Sequence, residues 1–184
     1  MAEKMQKSQK EYQSIFDHEY FFHGVHAERL VALTSQFGSS SFMKLFQRNV
    51  DVFMIAPIVG FIYGRRADLD NSQPDRTINF AQMTYCKNDL LFNYRLISLL
   101  DSNYEADSSK RLDKAFRYMG TPQAEADEKR YEEYLRGGID VLYEKLVQPG
   151  SDYQKNLIAF LEDFNDRYLH SDDDVSLVDI AHNF

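Results

Sequence analysis

The segment from Asn49 to Arg66 constrains the fold more than any other part of this chain. It is the most apolar stretch of the sequence, and its residues Val52 to Tyr63 form a run of twelve without a charge. A membrane-spanning helix needs about 20 apolar residues, whereas a run of this length is typical of a helix buried in a protein core. The segment therefore predicts a central apolar helix around which the other elements pack.

Pro57 lies in the middle of this run, where proline removes a backbone hydrogen bond and kinks or breaks a helix. Two arrangements are compatible with the sequence. Either two helical pieces, Val50–Ala56 and Ile58–Tyr63, are hinged near Pro57, or Pro57 lies in the first turn of the second helix, where proline is tolerated. Gly60 and Gly64 are four residues apart, so they would share a helix face and let another backbone approach closely. Gly64 could instead end the helix in a left-handed conformation.

The rest of the chain predicts further helices. Apolar residues recur three and four positions apart in most segments, which is the spacing of one helix face, and no series of alternating strands is present. The predicted fold class is all-α, with a single domain over residues 1–184 that forms an irregular bundle of seven or eight helices. The predicted helices cover residues 3–16, 25–36, 42–48, 50–63, 82–100, 110–118, 123–147 and 152–169.

Three features qualify this helical pattern. Gly137 and Gly138 fall inside the longest predicted helix, and two glycines in a helix cost about 2 kcal/mol relative to alanine, so we expect close packing or a kink there. Residues 77–80 predict a brief extended piece. Residues 1–20 predict a helix that frays at its start, and residues 171–184 predict an acidic tail.

The net charge of −8 is unevenly distributed along the chain. Residues 1–95 carry 11 Lys and Arg against 10 Asp and Glu, whereas residues 96–184 carry 10 against 19. An acidic half repels a phosphate backbone, so we expect no direct nucleic-acid binding and instead a protein partner. The start of the chain lacks the apolar core of a signal peptide, which predicts a cytoplasmic protein that does not enter a membrane.

Three histidines are the best candidates for metal ligands. His18, His23 and His26 follow the spacing H-x4-H-x2-H, and imidazole groups bind zinc or iron. Gly24 interrupts the segment, so only His23 and His26 could share a helix face. We predict no metal site, and this pair is the weak candidate for one. The common phosphate-binding and nucleophile motifs are absent, so the sequence predicts no cofactor and no catalytic residue.

Arg65 and Arg66 follow directly on the apolar segment, so we expect their positions to be well fixed. Adjacent guanidinium groups can bind a carboxylate or a phosphate through paired hydrogen bonds. The pair is therefore a candidate site for an anion or for a partner. The alternative is an intramolecular ion pair with one of the many acids.

Residues of the apolar segment and of the longest predicted helix form a recognisable pattern. They are Asp51-Val52-Phe53-Met54, Ala56, Gly60-Phe61, Gly64-Arg65-Arg66, Tyr134, Gly137-Gly138-Ile139 and Leu142. This pattern resembles that of small proteins associated with Dnd DNA-phosphorothioation systems, and the resemblance spans residues 42–148. It implies a cytoplasmic bacterial accessory protein encoded near DNA-modification or anti-phage genes, and it does not imply a catalytic activity. It also adds Asp51 to the candidate site of Arg65 and Arg66, and it marks Gly137 and Gly138.

These observations favour a non-catalytic accessory protein that binds a larger protein of a DNA-modification or phage-defence system. A second hypothesis is an enzyme of unfamiliar class, in which Arg65 and Arg66 bind an anion and a carboxylate acts as the base. A third is that the acidic half imitates nucleic acid and occupies a basic groove on another protein.

Overall fold

The computed structural model describes residues 12–36, 44–72, 75–147 and 152–169, which form six α-helices and a two-stranded sheet. A π-helical turn (Asp113–Arg117) and a 3₁₀ turn (Pro122–Ala124) connect the fourth helix to the fifth. The predicted helical fold class is confirmed in its main feature, although these ranges contain six α-helices rather than seven or eight. The elements are β1 (Tyr20–His23), α1 (Gly24–Thr34), α2 (Asn49–Ile62), β2 (Asp75–Ile78), α3 (Phe80–Leu100), α4 (Ser108–Leu112), α5 (Glu125–Leu146) and α6 (Tyr153–Leu169).

The helix α2 is continuous, with Pro57 inside it, so the chain does not divide into two helices there. Its first turn is closed by Arg48 and Asp51: the Arg48 backbone N–H donates to Asp51 Oδ2 at 2.8 Å, and the Arg48 guanidinium donates to Oδ1. The chain leaves the helix at Gly64, whose φ of 62° is the left-handed conformation that glycine adopts without strain.

The apolar side chains of α2 are buried mainly against α5, and α3 packs on another side. Asn93 of α3 donates from Nδ2 to the backbone carbonyl of Met54 at 2.8 Å. Despite the apolar character of α2, no helix in the described ranges is long and apolar enough to cross a membrane. The buried residues of α2 are Val50, Val52, Phe53, Ala56, Pro57, Val59 and Gly60.

The two strands form a small antiparallel sheet that the all-α prediction did not include. Tyr20 pairs with Ile78, and His23 pairs with Asp75 at the other end. Tyr20 and Phe22 are buried while Phe21 is exposed, which is the alternation expected of a strand with one covered face. The extended piece predicted at residues 77–80 corresponds to the end of β2, but its pairing partner was not predicted.

Several predicted helix bounds are corrected by the structure. Residues 12–19 are not helical, so the prediction of a helix over residues 1–20 is wrong for these residues. Residues 44–48 are irregular rather than part of a short helix. The segment 110–118 divides into α4 and the π-helical turn. The parts of these predictions that fall on residues 1–11, 37–43, 148–151 and 170–184 lie outside the described residues.

The segment before β1 is held to the core by an aromatic cluster. The rings of Phe16, Tyr94 and Tyr131 meet edge to face, with centroids 5.6–5.7 Å apart. Buried Glu128 accepts hydrogen bonds from Ser14 Oγ at 2.5 Å and from the Ile15 N–H at 3.2 Å. Side-chain contacts therefore fix residues 14–16 in the absence of a helix.

The start of α1 is capped by a carboxylate from a distant loop. Asp70 Oδ2 accepts from the Val25 N–H at 3.0 Å, and Asp70 Oδ1 accepts from the Ser72 N–H and hydroxyl. Gly24 has a φ of 54°, and a Cβ atom there would lie 2.7 Å from Oδ1 and closer still to Oδ2. The hydrogen bonds from Ser72 and Val25 lower the pKa of Asp70 to about 2.

Replacing Asp70 with asparagine is expected to change how stability depends on pH. A carboxyl group whose pKa is lower in the folded state stabilises that state above its unfolded pKa, and the contribution disappears as the pH falls towards the folded pKa. The difference in thermal midpoint between the wild type and Asp70→Asn should therefore be largest near neutral pH and shrink between pH 4 and pH 2. A difference that stays constant across this interval in thermal scans would contradict the assigned role.

Candidate functional site

The backbones of α2 and α5 touch where glycines of the two helices face each other. A Cβ atom on Gly138 would lie 2.9 Å from the Gly60 nitrogen and closer still to the carbonyl oxygen of Ala56. A Cβ atom on Gly60 would lie 3.0 Å from the Gly138 nitrogen and closer to the carbonyl oxygen of Tyr134. No side chain fits at this crossing, so the glycines set the distance between the helices.

The segment that follows α2 is fixed against α5 in the same way. A Cβ atom on Gly137 would lie 2.8 Å from the Arg66 nitrogen and closer to the carbonyl oxygen of Arg65. The buried side chain of Arg136 donates from Nε to the carbonyl of Ala67 at 3.0 Å. The backbone of residues 65–67 therefore has a defined position on α5, as its place after an apolar helix predicts.

The side chains of the predicted binding residues do not form one site. Arg65 Nη2 lies 3.3 Å from Glu144 Oε1, and Arg66 Nη1 lies 3.0 Å from Glu133 Oε2. Both arginines therefore take the intramolecular ion pair that the sequence left as the alternative. Asp51 lies in the first turn of α2, and a helix of 14 residues is about 20 Å long, so Asp51 is remote from the two arginines.

The histidine candidates do not converge either. His23 ends β1, whereas buried His26 lies in α1 with Nε2 3.2 Å from Asp140 Oδ1, and Arg29 binds the same carboxylate. Burial would raise the pKa of Asp140, but the hydrogen bonds and charges of His26 and Arg29 outweigh it and lower that pKa. Within the described ranges, no group of three or more His, Cys, Asp or Glu side chains could hold a metal ion.

A recess between α3, the π-helical turn and α5 brings together ionisable side chains from distant parts of the sequence. Its cavity volume is about 20 Å³, enough for about one water molecule. The π-helical turn places Lys114 at this recess, and such turns are frequent at functional sites. The polar residues that line it are Ser98, Asp101, Tyr104, Lys114, Asp127, Arg130, Tyr131 and Tyr134.

The charged groups of the recess are held in two ion pairs. Arg130 Nε lies 2.8 Å from Asp101 Oδ2, and Lys114 Nζ lies 2.7 Å from Asp127 Oδ1. Tyr134 donates its hydroxyl proton to Asp101 Oδ2 at 2.8 Å, and burial together with this bond raises the pKa of Tyr134 to about 12. Burial would lower the pKa of Lys114, but the hydrogen bond to Asp127 and its charge raise that pKa instead. Both cations are thus neutralised within the recess.

Tyr104 covers this recess and has cations on its ring. The guanidinium of Arg130 lies 4.2 Å from the ring centroid, and Lys114 Nζ lies 4.8 Å from it. Two buried polar atoms, Asp127 Oδ2 and the Tyr131 hydroxyl oxygen, have no hydrogen-bond partner in the part of the chain that the structure describes. The recess holds its charges in internal ion pairs, so within the described ranges it presents no unpaired charge for an ionic ligand.

The sequence contains one indication of this recess. Asp127, Arg130, Tyr131 and Tyr134 follow the spacing i, i+3, i+4, i+7, which places them on one face of α5. A face that combines an acid, a base and two phenols is unusual for a solvated helix. Asp101 and Lys114 come from other elements, and no local pattern points to them.

The outer face of α3 carries an exposed aromatic surface. Tyr85 is 84% exposed and Phe92 is 63% exposed, and their separation of seven residues places them on the same side two turns apart. Arg95 follows one turn later, and its guanidinium lies 5.3 Å from the ring centroid of Phe116, which is itself 54% exposed. We call Tyr85, Phe92 and Phe116 the α3 stripe.

Comparison with known proteins places the chain in a family. A family model described as DNA sulphur modification system-associated protein 4 matches residues 26–180. The chain belongs to this family. The match confirms the resemblance inferred from the sequence and associates the protein with a DNA sulphur modification system. It includes the six described helices except the first two residues of α1, and with them the recess and the α3 stripe. No curated protein and no solved structure gave a match.

Proposed function

We propose that this member of the DNA sulphur modification system-associated protein 4 family is a non-catalytic accessory protein. It binds a protein component of the modification system through the α3 stripe. Large aromatic side chains are favoured anchors at protein interfaces. The exposure of Tyr85 and Phe92 on one side of α3 is the observation that supports this proposal.

The charges of the chain favour this proposal over the two alternatives. The enzyme alternative requires Arg65 and Arg66 to be free for an anion, but each is paired with an acid, as are Lys114 and Arg130 of the recess. A nucleic-acid mimic needs free acids on its surface. At least eight acids of residues 96–184 are instead engaged with basic side chains of the same chain, namely Asp101, Asp113, Asp127, Glu133, Asp140, Glu144, Asp152 and Asp163.

Replacing Tyr85 and Phe92 with serine is expected to abolish partner binding while leaving the fold intact. Interface anchors of this type contribute most of the binding free energy, so retention of the partner should fall at least about tenfold. Exposed substitutions away from special features change stability little, so the thermal midpoint should stay near that of the wild type. The measurement is quantitative mass spectrometry of modification-system proteins retained by the tagged chain in cells that carry the system.

The matched control replaces two exposed aliphatic residues on another helix. Ile158 and Leu161 of α6 are 56% and 55% exposed, so Ile158→Ser with Leu161→Ser removes similar apolar surface elsewhere. This variant should retain the partner as the wild type does. Equal retention by the wild type and the Tyr85→Ser/Phe92→Ser variant would refute the assignment of the α3 stripe as the interface.

A further inference from the structure

We propose that the partner segment bound by the α3 stripe is acidic, and that one of its carboxylates binds the guanidinium of Arg95. The inference rests on the proposed function and specifies the chemistry of the partner. In this arrangement, apolar side chains of the partner cover Phe92 and Phe116. An aspartate or glutamate beside them then reaches Arg95, whose guanidinium lies over the Phe116 ring.

The positive charge of Arg95 is not neutralised by an acidic side chain of the described ranges. Arg95 is half-buried on α3, and it forms no ion pair with any Asp or Glu in the described ranges. Its Nε atom is buried and lacks a hydrogen-bond partner there. An incoming carboxylate would bind the Nη groups of this guanidinium, which are not buried as Nε is. Because the guanidinium is already stacked on Phe116, little conformational freedom remains to be lost on binding.

The α4 helix and the π-helical turn, which pack on α3, carry more basic than acidic residues although the chain as a whole is acidic. The α4 helix and the π-helical turn carry four basic residues against one acid, in a chain of net charge −8. Three of the four are bound internally: Arg111 donates to backbone carbonyls, and Lys114 and Arg117 pair with acids. Lys110 is exposed and, like Arg95, has no ion-pair partner among the residues described.

This charge distribution suits a protein carboxylate better than a phosphate backbone. Proteins that grip nucleic acid through its backbone typically neutralise about 6–10 phosphates, and the overall negative charge of this chain would oppose such binding. Two available cations beside exposed rings instead match a short segment with one or two carboxylates and apolar neighbours. The planar guanidinium can hold a carboxylate through two parallel hydrogen bonds.

The test measures binding of the whole chain to each purified protein of the same cells' DNA sulphur modification system, at low and at high salt. The wild type should bind one of them and lose affinity as salt rises, because salt screens the ion pair. Arg95→Gln removes the charge and keeps most of the side-chain stem. It should weaken binding at low salt at least about tenfold and flatten the dependence on salt.

A matched control separates this effect from a general change in charge or fold. Lys129→Gln removes a positive charge from an exposed position on α5 and should leave both affinity and salt dependence as in the wild type. Thermal unfolding of Arg95→Gln reports on the fold. A merely structural role for Arg95 would lower affinity at every salt concentration and leave the slope unchanged, which would overturn the inference.

The remaining outcomes distinguish the inference from the function on which it rests. If Tyr85→Ser/Phe92→Ser loses binding while Arg95→Gln keeps the affinity and salt dependence of the wild type, the inference is wrong and the proposed function stands. If the wild type binds none of the system's proteins, the proposed function is wrong and the inference falls with it. If a DNA duplex binds through Arg95 instead, the partner is a phosphate backbone and the inference is also wrong.

Discussion

Gly138→Ala is expected to destabilise the protein by about 3 kcal/mol, because the new methyl group would collide with the backbone of α2. In an open helix this substitution would stabilise by up to about 1 kcal/mol through helix propensity. Here the added Cβ would lie 2.9 Å from the Gly60 nitrogen and closer to the Ala56 carbonyl, and neither backbone atom can rotate away. The clash therefore outweighs the propensity. Denaturant or thermal unfolding of the two proteins measures the difference.

Gly64→Ala is the control for this prediction. Gly64 has a φ of 62° but open space around an added Cβ, so only backbone strain opposes the change. That strain costs about 1–2 kcal/mol. The expected order of stability is wild type, then Gly64→Ala, then Gly138→Ala. A Gly138→Ala variant as stable as the wild type would show that the helices are farther apart than described here.

Asp101→Asn is expected to produce a loss of similar size, about 3 kcal/mol, by leaving Arg130 without its counter-ion. Asp101 is 4% exposed, and it accepts from Arg130 Nε, the Tyr134 hydroxyl and the Tyr104 N–H. Asparagine has nearly the same shape, so the change tests the charge and the hydrogen bonds rather than packing. Removing one partner of a buried pair is costly because the other charge stays in place. Urea unfolding at neutral pH measures the loss.

Asp113→Asn makes the same chemical change where the ion pair is exposed. Its partner Arg117 has a side chain that is 74% exposed, and pairs of this kind contribute about 0–1 kcal/mol. The variant should therefore unfold close to the wild type. Equal losses for Asp101→Asn and Asp113→Asn would contradict the burial-based explanation, since the two substitutions differ mainly in the exposure of the pair.

The long helices were predictable because their own sequences determine them. The helix predicted over residues 123–147 corresponds to α5, and that over 152–169 corresponds to α6. The predicted interruption at Pro57 followed from local propensity, which tertiary packing against α5 overrides. The spacing between Phe16 and the apolar residues before it suggested a helix. Phe16 instead lies in an irregular segment, because its ring packs against the rings of Tyr94 and Tyr131. Four-residue strands such as β1 leave too short a pattern to predict.

The candidate sites were harder to predict because they depend on contacts between distant segments. The sequence suggested close packing at Gly137 and Gly138, but it could not indicate that Gly60 lies opposite. It could not choose between a ligand and an intramolecular acid for Arg65 and Arg66, since Glu133 and Glu144 become neighbours only after folding. The α3 stripe depends on which face of α3 is covered, and the apolar spacing of that helix does not specify a single covered face.

The crossing of α2 with α5 has a consequence for synthesis of the chain on the ribosome. Gly60 and Gly138 are about 80 residues apart, so α2 emerges well before the helix that covers it, and contacts of this separation form late. During that interval, the apolar side chains of α2 lack the residues of α5 that later cover them. Incomplete chains that end before α5 should therefore depend on chaperones and aggregate when these are scarce. Once α5 has been synthesised, the same surface packs against it with the two backbones in contact.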